Sequence, residues 1–272
     1  MDWNKTKTIF IIVFSILNVF LYSFYFNRLM DEQNVQVMGK TSTEDLLKMD
    51  NITYSELPPY FNDPSYLSAK SKKFTKEQLD ALDNQAPILE DGTYLKSILK
   101  EPVSVMNEKG DYDFTEFLSK HVLFGSDYVL WDVDEEERQA LFFQKVKDNP
   151  IYFSRKAMLT VFMNRDGEVT HYEQSMFDEF DRFNRKKDLI SPIEAIGNLY
   201  SRGYLPQESN LQQMTLGYST FVQVTETQVF APTWHVRVKL KDGKIEDYFI
   251  NAIEGKMIEF QTESSDEDED NE

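Results

Sequence analysis

The sequence predicts an α+β fold: a single N-terminal transmembrane helix, then an extracytoplasmic domain of two tandem helix-plus-antiparallel-sheet units. Three observations predict it. Residues 9–26, IFIIVFSILNVFLYSFYF, carry no charge. Two later helices open on capping signals and stop at glycines. Each is followed by β-branched and aromatic segments that include an Asp-Gly hairpin.

The apolar stretch comes first. At about 1.5 Å rise per residue it makes a helix of about 27 Å, close to the roughly 30 Å hydrocarbon core of a bilayer. A soluble surface helix would need a polar stripe, and this one is apolar nearly all round. Lys5, Lys7 and the amino terminus precede it, whereas Arg28 is followed by Asp31 and Glu32. The positive-inside bias therefore puts tip 1–8 in the cytoplasm and later residues outside. No small-x-small cleavage site follows SFYFNRLM, so the expectation is an uncleaved signal anchor in the cell membrane. Trp3, Tyr22 and Tyr25 suit the two interfaces. Ser15, Asn18, Tyr22 and Tyr25 share one helix face by their spacing, which makes them a candidate helix–helix contact. Asn18 falls near the membrane centre, where its amide needs either a partner helix or its own backbone.

Composition narrows the function. The chain has 272 residues, with 29 basic and 47 acidic side chains and a formal charge of −18. That balance argues against nucleic acid, which needs a basic footprint, and against anionic lipid surfaces. The last ten residues, ESSDEDEDNE, hold seven of the acids. Residues 263–272 are expected to be a disordered, solvated tail. With no cysteine, there is no disulfide framework, thiolate nucleophile or thiolate metal site. The 14% aromatic residues can supply a core without disulfides.

Residues 27–101 read as a stalk, broken by Pro58, Pro59 and Pro64, with a short helix opened by the Thr75–Gln78 capping box. The first α+β unit spans 102–189. Its helix is expected from an Asp113–Glu116 capping box to Gly125. Strands follow at 128–133, 140–146, 151–153 and 157–164, then a hairpin turn at Asp166-Gly167 and a strand over 168–172. Residues 175–189 carry Phe177, Phe180 and Phe183 at intervals of three, fitting a short helix or an aromatic linker. The second unit spans 190–262. Ser191-Pro-Ile-Glu194 opens a helix that stops at Gly203. Strands are expected at 215–225, 234–240, 244–251 and 256–261, with turns at Asp242-Gly243 and Glu254-Gly255. Its core should set Ile193, Ile196 and Leu199 against alternate residues of 234–240. Arg165–Tyr172 and Lys241–Tyr248 both read basic–Asp–Gly–x–β-branched–x–x–Tyr, which suggests an internal duplication.

The motifs that would mark chemistry are missing. His121, His171 and His235 are the only histidines, and none has metal spacing. There is no Gly-x-Ser-x-Gly elbow and no phosphate-cradling glycine loop. The acidic runs at 135–137 and 178–179 look like solvated turns. No residue is nominated as catalytic, no metal or cofactor is expected, and the reading is of a protein that is not an enzyme.

Met1–Ile11, Lys156–Leu159, Tyr172–Met176, Leu216–Tyr218 and Pro232–Val238 resemble, in order, the YycI (WalI) proteins. The 30–100 stretch and the acidic tail fall outside that likeness. The second unit is also similar to a PepSY-type helix-plus-sheet module. The resemblance implies a single-pass regulator of low-GC Gram-positive bacteria. Such proteins associate, with the related YycH, with the cell-wall sensor kinase WalK (YycG), which controls WalR, largely through transmembrane helices. It implies no catalytic residue and leaves open whether control is inhibitory or activating. The other reading is a tethered extracytoplasmic module of PepSY type, ligand-binding or protease-inhibiting, with an unnamed envelope ligand.

Overall fold

In the computed structural model the described residues are 3–34, 42–59, 65–183, 188–223 and 227–260. The expected acidic tail, Pro64 and part of the expected stalk lie outside them. Residues up to Asp50 and residues from Asn51 onward form two separate compact units.

The first unit is helical. α1 runs Trp3–Asn34, 32 residues without a break. α2, Thr43–Met49, is capped by Ser42, whose hydroxyl accepts the Asp45 amide at 3.1 Å.

The second unit is built on a thirteen-stranded sheet. In chain order its elements are β1 (Thr53–Tyr54), β2 (Leu67–Ser71), α3 (Lys76–Asp80), β3 (Gln85–Glu90), β4 (Tyr94–Ser104), α4 (Thr115–His121), β5 (Tyr128–Asp134), β6 (Gln139–Val146), β7 (Asn149–Tyr152), β8 (Met158–Met163), β9 (Glu168–Ser175), β10 (Phe177–Arg182), α5 (Pro192–Ser201), β11 (Asn210–Gln223), β12 (Thr227–Lys239) and β13 (Ile245–Asn251). The sheet order is β10-β2-β12-β11-β7-β6-β8-β9-β4-β3, with β1 on β11, β13 on β12 and β5 on β6.

The stalk reading fails from residue 53 onward. β2 pairs with β12 along the stretch that β13 leaves open, so the two share one edge of that long strand. β3 and β4 form a hairpin that extends the sheet beyond β9. Leu67, Ala69, Phe74, Leu95 and Leu99 are buried. The boundary expected at 189/190 does not separate the sheet into distinct bodies either, because β7 pairs with β11 and β2 bridges β10 to β12.

The helices follow their caps. Both capping boxes at Thr75/Gln78 and Ser191/Glu194 form with reciprocal bonds. α5 ends in a Schellman motif: the Gly203 amide bonds the Tyr200 carbonyl and the Tyr204 amide bonds that of Leu199, both at 3.0 Å. The box expected at Asp113 does not form. The N-cap is Phe114, and Asp113 accepts the Thr115 amide instead. Gly125 is no left-handed stop. α4 ends at His121, and Phe124 takes the left-handed turn with φ 54. A Cβ on Gly125 would lie 2.0 Å from the Leu118 carbonyl oxygen, so close approach explains this glycine.

Residues 177–182 are a strand, not a helix or linker. Glu179 sits at φ 51, and the pairing with β2 shifts between Asp178 and Asp181. This bulge turns Phe177 and Phe180, three apart, to the same apolar cluster. The strand expected at 256–261 is reduced to one bridge, Ile250 to Met257. α5 buries Pro192, Ala195, Ile196 and Leu199, with Ile193 half-buried, and Trp234, Val236 and Val238 lie at 0% exposure.

The two motif hairpins are built alike. In each, the glycine amide bonds the carbonyl three residues back, and the residue opening the turn bonds across to the one after the glycine. Gly167 and Gly243 take φ 75 and 89. In each, the motif tyrosine comes to the end of the preceding helix or the turn just after it: Tyr172 Oη donates to the His121 carbonyl at 2.8 Å, and Tyr248 Oη, which bonds the Glu246 carboxylate, also lies 3.0 Å from the Tyr204 carbonyl.

Candidate functional site

A connected polar group lies on the face of β12 opposite Trp234. Alternation along that strand turns His235 and Arg237 to this face. Register places Asp247 of β13 opposite Arg237 and Thr215 of β11 opposite His235. Arg237 holds Asp247 in a two-pronged contact, Nε to Oδ1 at 2.8 Å and Nη2 to Oδ2 at 3.1 Å. His235 Nε2 shares Oδ1 at 2.6 Å, and Nδ1 lies 3.3 Å from Thr215 Oγ1. Tyr152 Oη of β7 is 3.1 Å from the same hydroxyl. Trp131 of β5 lies over Arg237 at 5.2 Å, and Phe249 stacks on His235 at 4.9 Å.

Burial alone would raise the Asp247 pKa. The hydrogen bonds from His235 and Arg237, with their charges, outweigh it and hold the carboxyl below its ordinary value. The bond to Asp247 lifts Arg237 further above the usual range, against burial.

Threonine, histidine and aspartate in sequence of contact invite comparison with a nucleophile relay. The geometry fits a clamp instead. The His235 side chain is 3% exposed, and the half-buried Thr215 hydroxyl meets both Tyr152 and His235, so the pair is tied into the contacts between strands. What the group does is join the sheet halves, with Trp131 and Tyr152 on one side and Thr215, His235, Arg237 and Asp247 on the other. By sequence alone His235 is an ordinary strand residue. The spacing of His235 and Arg237 is visible there, but Asp247 becomes their partner only through strand register.

The other histidines are single. His171 stacks on Phe162 at 4.4 Å, and His121 on Phe117 at 5.6 Å. Burial lowers both pKa values; Lys96 adds to the effect at His171 and Lys120 at His121, while Glu173 and Glu116 partly oppose it.

On α1, Ser15, Asn18, Tyr22 and Tyr25 are all exposed, as are their apolar neighbours over residues 10–23, the large ones at 47–70%. Asn18 Nδ2 donates to the Phe14 carbonyl at 2.9 Å, one turn back. Among the described residues no helix is long and apolar enough to cross a membrane. The described side chains of α1 run unbroken only over residues 10–23, and the stretch read as an anchor, 9–26, extends beyond them on both sides. Asp166, Gly167, Asp242 and Gly243 lie in the turns between strands. Among the described residues, two open clefts of the second unit stand out. One of about 440 Å³ has Met106, Arg138 and Arg165 on its walls. The other, about 340 Å³, lies between Lys72, Phe124, Lys145 and Phe180.

Residues 31–253 match the family described as YycI protein. The chain belongs to the YycI family. This is a family of regulators of the WalK (YycG) two-component system. The match includes residues 31–101, which the residue-by-residue likeness leaves outside the pattern, and the sheet explains it, because those residues supply β1–β4. It begins after the apolar stretch and ends before the acidic tail. No curated protein matches. Among solved structures, the chain is similar to an uncharacterized protein from Eubacterium rectale. That similarity has 12% identity and a TM-score of 0.43 over 78% of this chain and 92% of that one. It is also similar to the YpeB C-terminal domain of Bacillus megaterium, at 15% identity and a TM-score of 0.39 over 70% and 87%.

Proposed function

We propose that this YycI-family chain is a membrane-anchored protein that modulates the sensor kinase WalK (YycG) together with YycH, and does so without catalysis. The observation that carries the anchor is the surface of α1. From residue 10 to residue 23 it presents large apolar side chains to the outside on every face. Such a helix in water leaves its burial energy unrealised, at roughly 25 cal/mol for each Å² of apolar surface. Lipid or partner helices recover it. Lys7 before the stretch, with Asp31 and Glu32 after it, orients the sheet unit to the extracytoplasmic side.

The anchor packs beside kinase helices and biases two signalling states, by no more than its differential affinity for them. Asn18 spends one amide proton on its own backbone and keeps Oδ1 and a second proton for a neighbouring helix. The test is a detergent pull-down of the full-length protein beside a form lacking residues 1–28. WalK and YycH should be recovered with the full-length protein only. Equal recovery with the shortened form would move recognition to the sheet unit and leave the helix a tether, as the PepSY-type reading requires.

A further inference from the structure

Phe124 is an aromatic residue in the left-handed region, at φ 54, and its ring is 39% exposed. That backbone costs an L-residue with a bulky side chain free energy, and an exposed ring recovers little of it. Such strain persists only where the surroundings enforce it, and it gathers at ligand clamps. Among the described residues nine other than glycine have positive φ, and three of them, Phe124, Lys147 and Glu179, line the one cleft of about 340 Å³. Buried side chains hold both of its walls. Behind Phe124, the His121 carbonyl accepts Gln85 Nε2 at 3.0 Å and Tyr172 Oη at 2.8 Å, and the Leu123 carbonyl accepts Gln174 Nε2 at 2.5 Å. Across the cleft, the buried Gln144 amide exchanges two bonds with the Phe177 backbone, both at 2.8 Å. Lys72 joins the walls, with Nζ 4.7 Å from the Phe124 ring centre and 3.1 Å from Asp178 Oδ2.

The charges of the cleft are unevenly spent. Asp178 holds Lys72 and Glu179 holds Lys70. Lys145 and Lys147 line the same cleft and have no ion-pair partner among the described residues, nor does the half-buried Asp127. Two cations and one carboxylate are therefore left to meet a ligand, with Phe124 and Phe180 as apolar wall. Two lysines suit an anionic group. Asp127, Asp178 and Glu179 around them disfavour a dianion such as a phosphate monoester more than a single carboxylate. The volume lies at the small end of ligand sites, so the body attached to that carboxylate is short.

We propose that this cleft binds the C-terminal end of a short peptide. Lys145 and Lys147 take the free carboxylate, and an apolar or aromatic last side chain lies against Phe124 and Phe180. Asp127 is the carboxylate left for the amino end of a dipeptide. The strained turn at Phe124 then has a use: it sets a ring at the mouth before the ligand arrives, so little ordering remains to be done on binding. The proposal concerns the sheet unit only, and it stands whether α1 meets the kinase or serves as a tether.

The experiment is saturation-transfer NMR and calorimetry on the full-length protein in detergent, with the dipeptide alanyl-phenylalanine as probe. The expected Kd is about 0.1–1 mM, the range for a ligand of this size. The C-terminal amide of the same dipeptide should bind about ten-fold or more weakly, because the charge that meets the lysines is gone. Lys145→Gln/Lys147→Gln should lose as much, whereas Lys156→Gln, outside the cleft, should change nothing. Phe124→Gly supplies the residue that φ 54 favours, so its unfolding midpoint should stay level or rise while binding is lost. Any of four results would overturn the proposal: no binding to the wild-type protein, an amide that binds as well as the acid, undiminished binding by the double lysine variant or by Phe124→Gly, or equal weakening by Lys156→Gln. Tighter binding of phenyl phosphate than of the dipeptide would also overturn it, by assigning the lysines to a phosphate group.

Discussion

Gly217 has no side chain because there is no room for one. A Cβ there would stand 2.4 Å from the Tyr152 ring and 2.5 Å from the Pro150 carbonyl oxygen. Among the described residues β7 and β11 pair in parallel register at two positions, Tyr218 with Ile151 and Ser219 with Tyr152. Gly217→Ala should therefore push β7 away and loosen Tyr152 from Thr215. We expect a loss of about 1–3 kcal/mol, the usual cost of overfilling a packed site, read as a lower urea midpoint. A neutral result would mean the two strands separate without cost. His171 and His121 act on the same scale through pH. Their folded pKa values lie below the ordinary histidine value of about 6.5. Between those values the unfolded chain binds protons that the native chain does not. Stability is thus full above about pH 6.5 and falls as pH drops through the folded values. The midpoint at pH 5 should lie below that at pH 8, and His171→Phe should shrink the gap. Equal midpoints would remove both histidines from the account. Asp247 acts only in stronger acid: its depressed carboxyl stabilises the fold above its unfolded pKa, near 3.9, and that stability is lost as pH falls through the folded value.

Among elements, the ones that declare themselves are those with local bonding. Ser191, Pro192 and Glu194 fix the start of α5 whatever lies around it, and Gly203 fixes its end. Ser191→Ala removes the hydroxyl that accepts the Glu194 amide and should cost about 1 kcal/mol. In a unit of this size that is a fall of roughly 2–4 °C in Tm. An unchanged Tm would show that Glu194 alone closes the cap. The β3–β4 hairpin is legible in the sequence, although the stalk reading passes over it. Leu95, Ser97 and Leu99 alternate with Lys96, Ile98 and Lys100, and Asp91-Gly92 supplies the turn with φ 49 and 72. β10 is illegible for a better reason. Its bulge at Glu179 gives a strand the three-residue spacing of a helix, and nothing local marks the bulge. On α1, Asn18→Leu gives up the bond to Phe14 and any bond beyond it. Pull-down of the kinase should weaken, and full retention would confine Asn18 to its own helix.

For the whole molecule, the division at Asp50 predicts that residues 51–272 fold without the N-terminal helices. Expressed alone, this form should be soluble and unfold in one cooperative transition; failure to fold would show that the first unit completes the second. The single transition has a specific basis: β7, β2 and the Trp131–Tyr152–His235–Asp247 group tie the sheet halves together.

The sequence by itself determined the apolar stretch, the capped helices, the Asp-Gly hairpins, the order of most strands and the family resemblance. Each depends on residues within a few positions of one another, or on residue types in linear order. Tertiary structure alone decided that residues 53–104 belong to the sheet, and that the two helix-plus-strand halves share it. It also decided that His235, Arg237 and Asp247 meet Tyr152 and Trp131. Those outcomes rest on strand register between segments up to 157 residues apart, as in the bond from Asn210 to Thr53. A polar strand such as β2 gains its place from the edge that β12 leaves open, and no pattern within β2 itself records that edge.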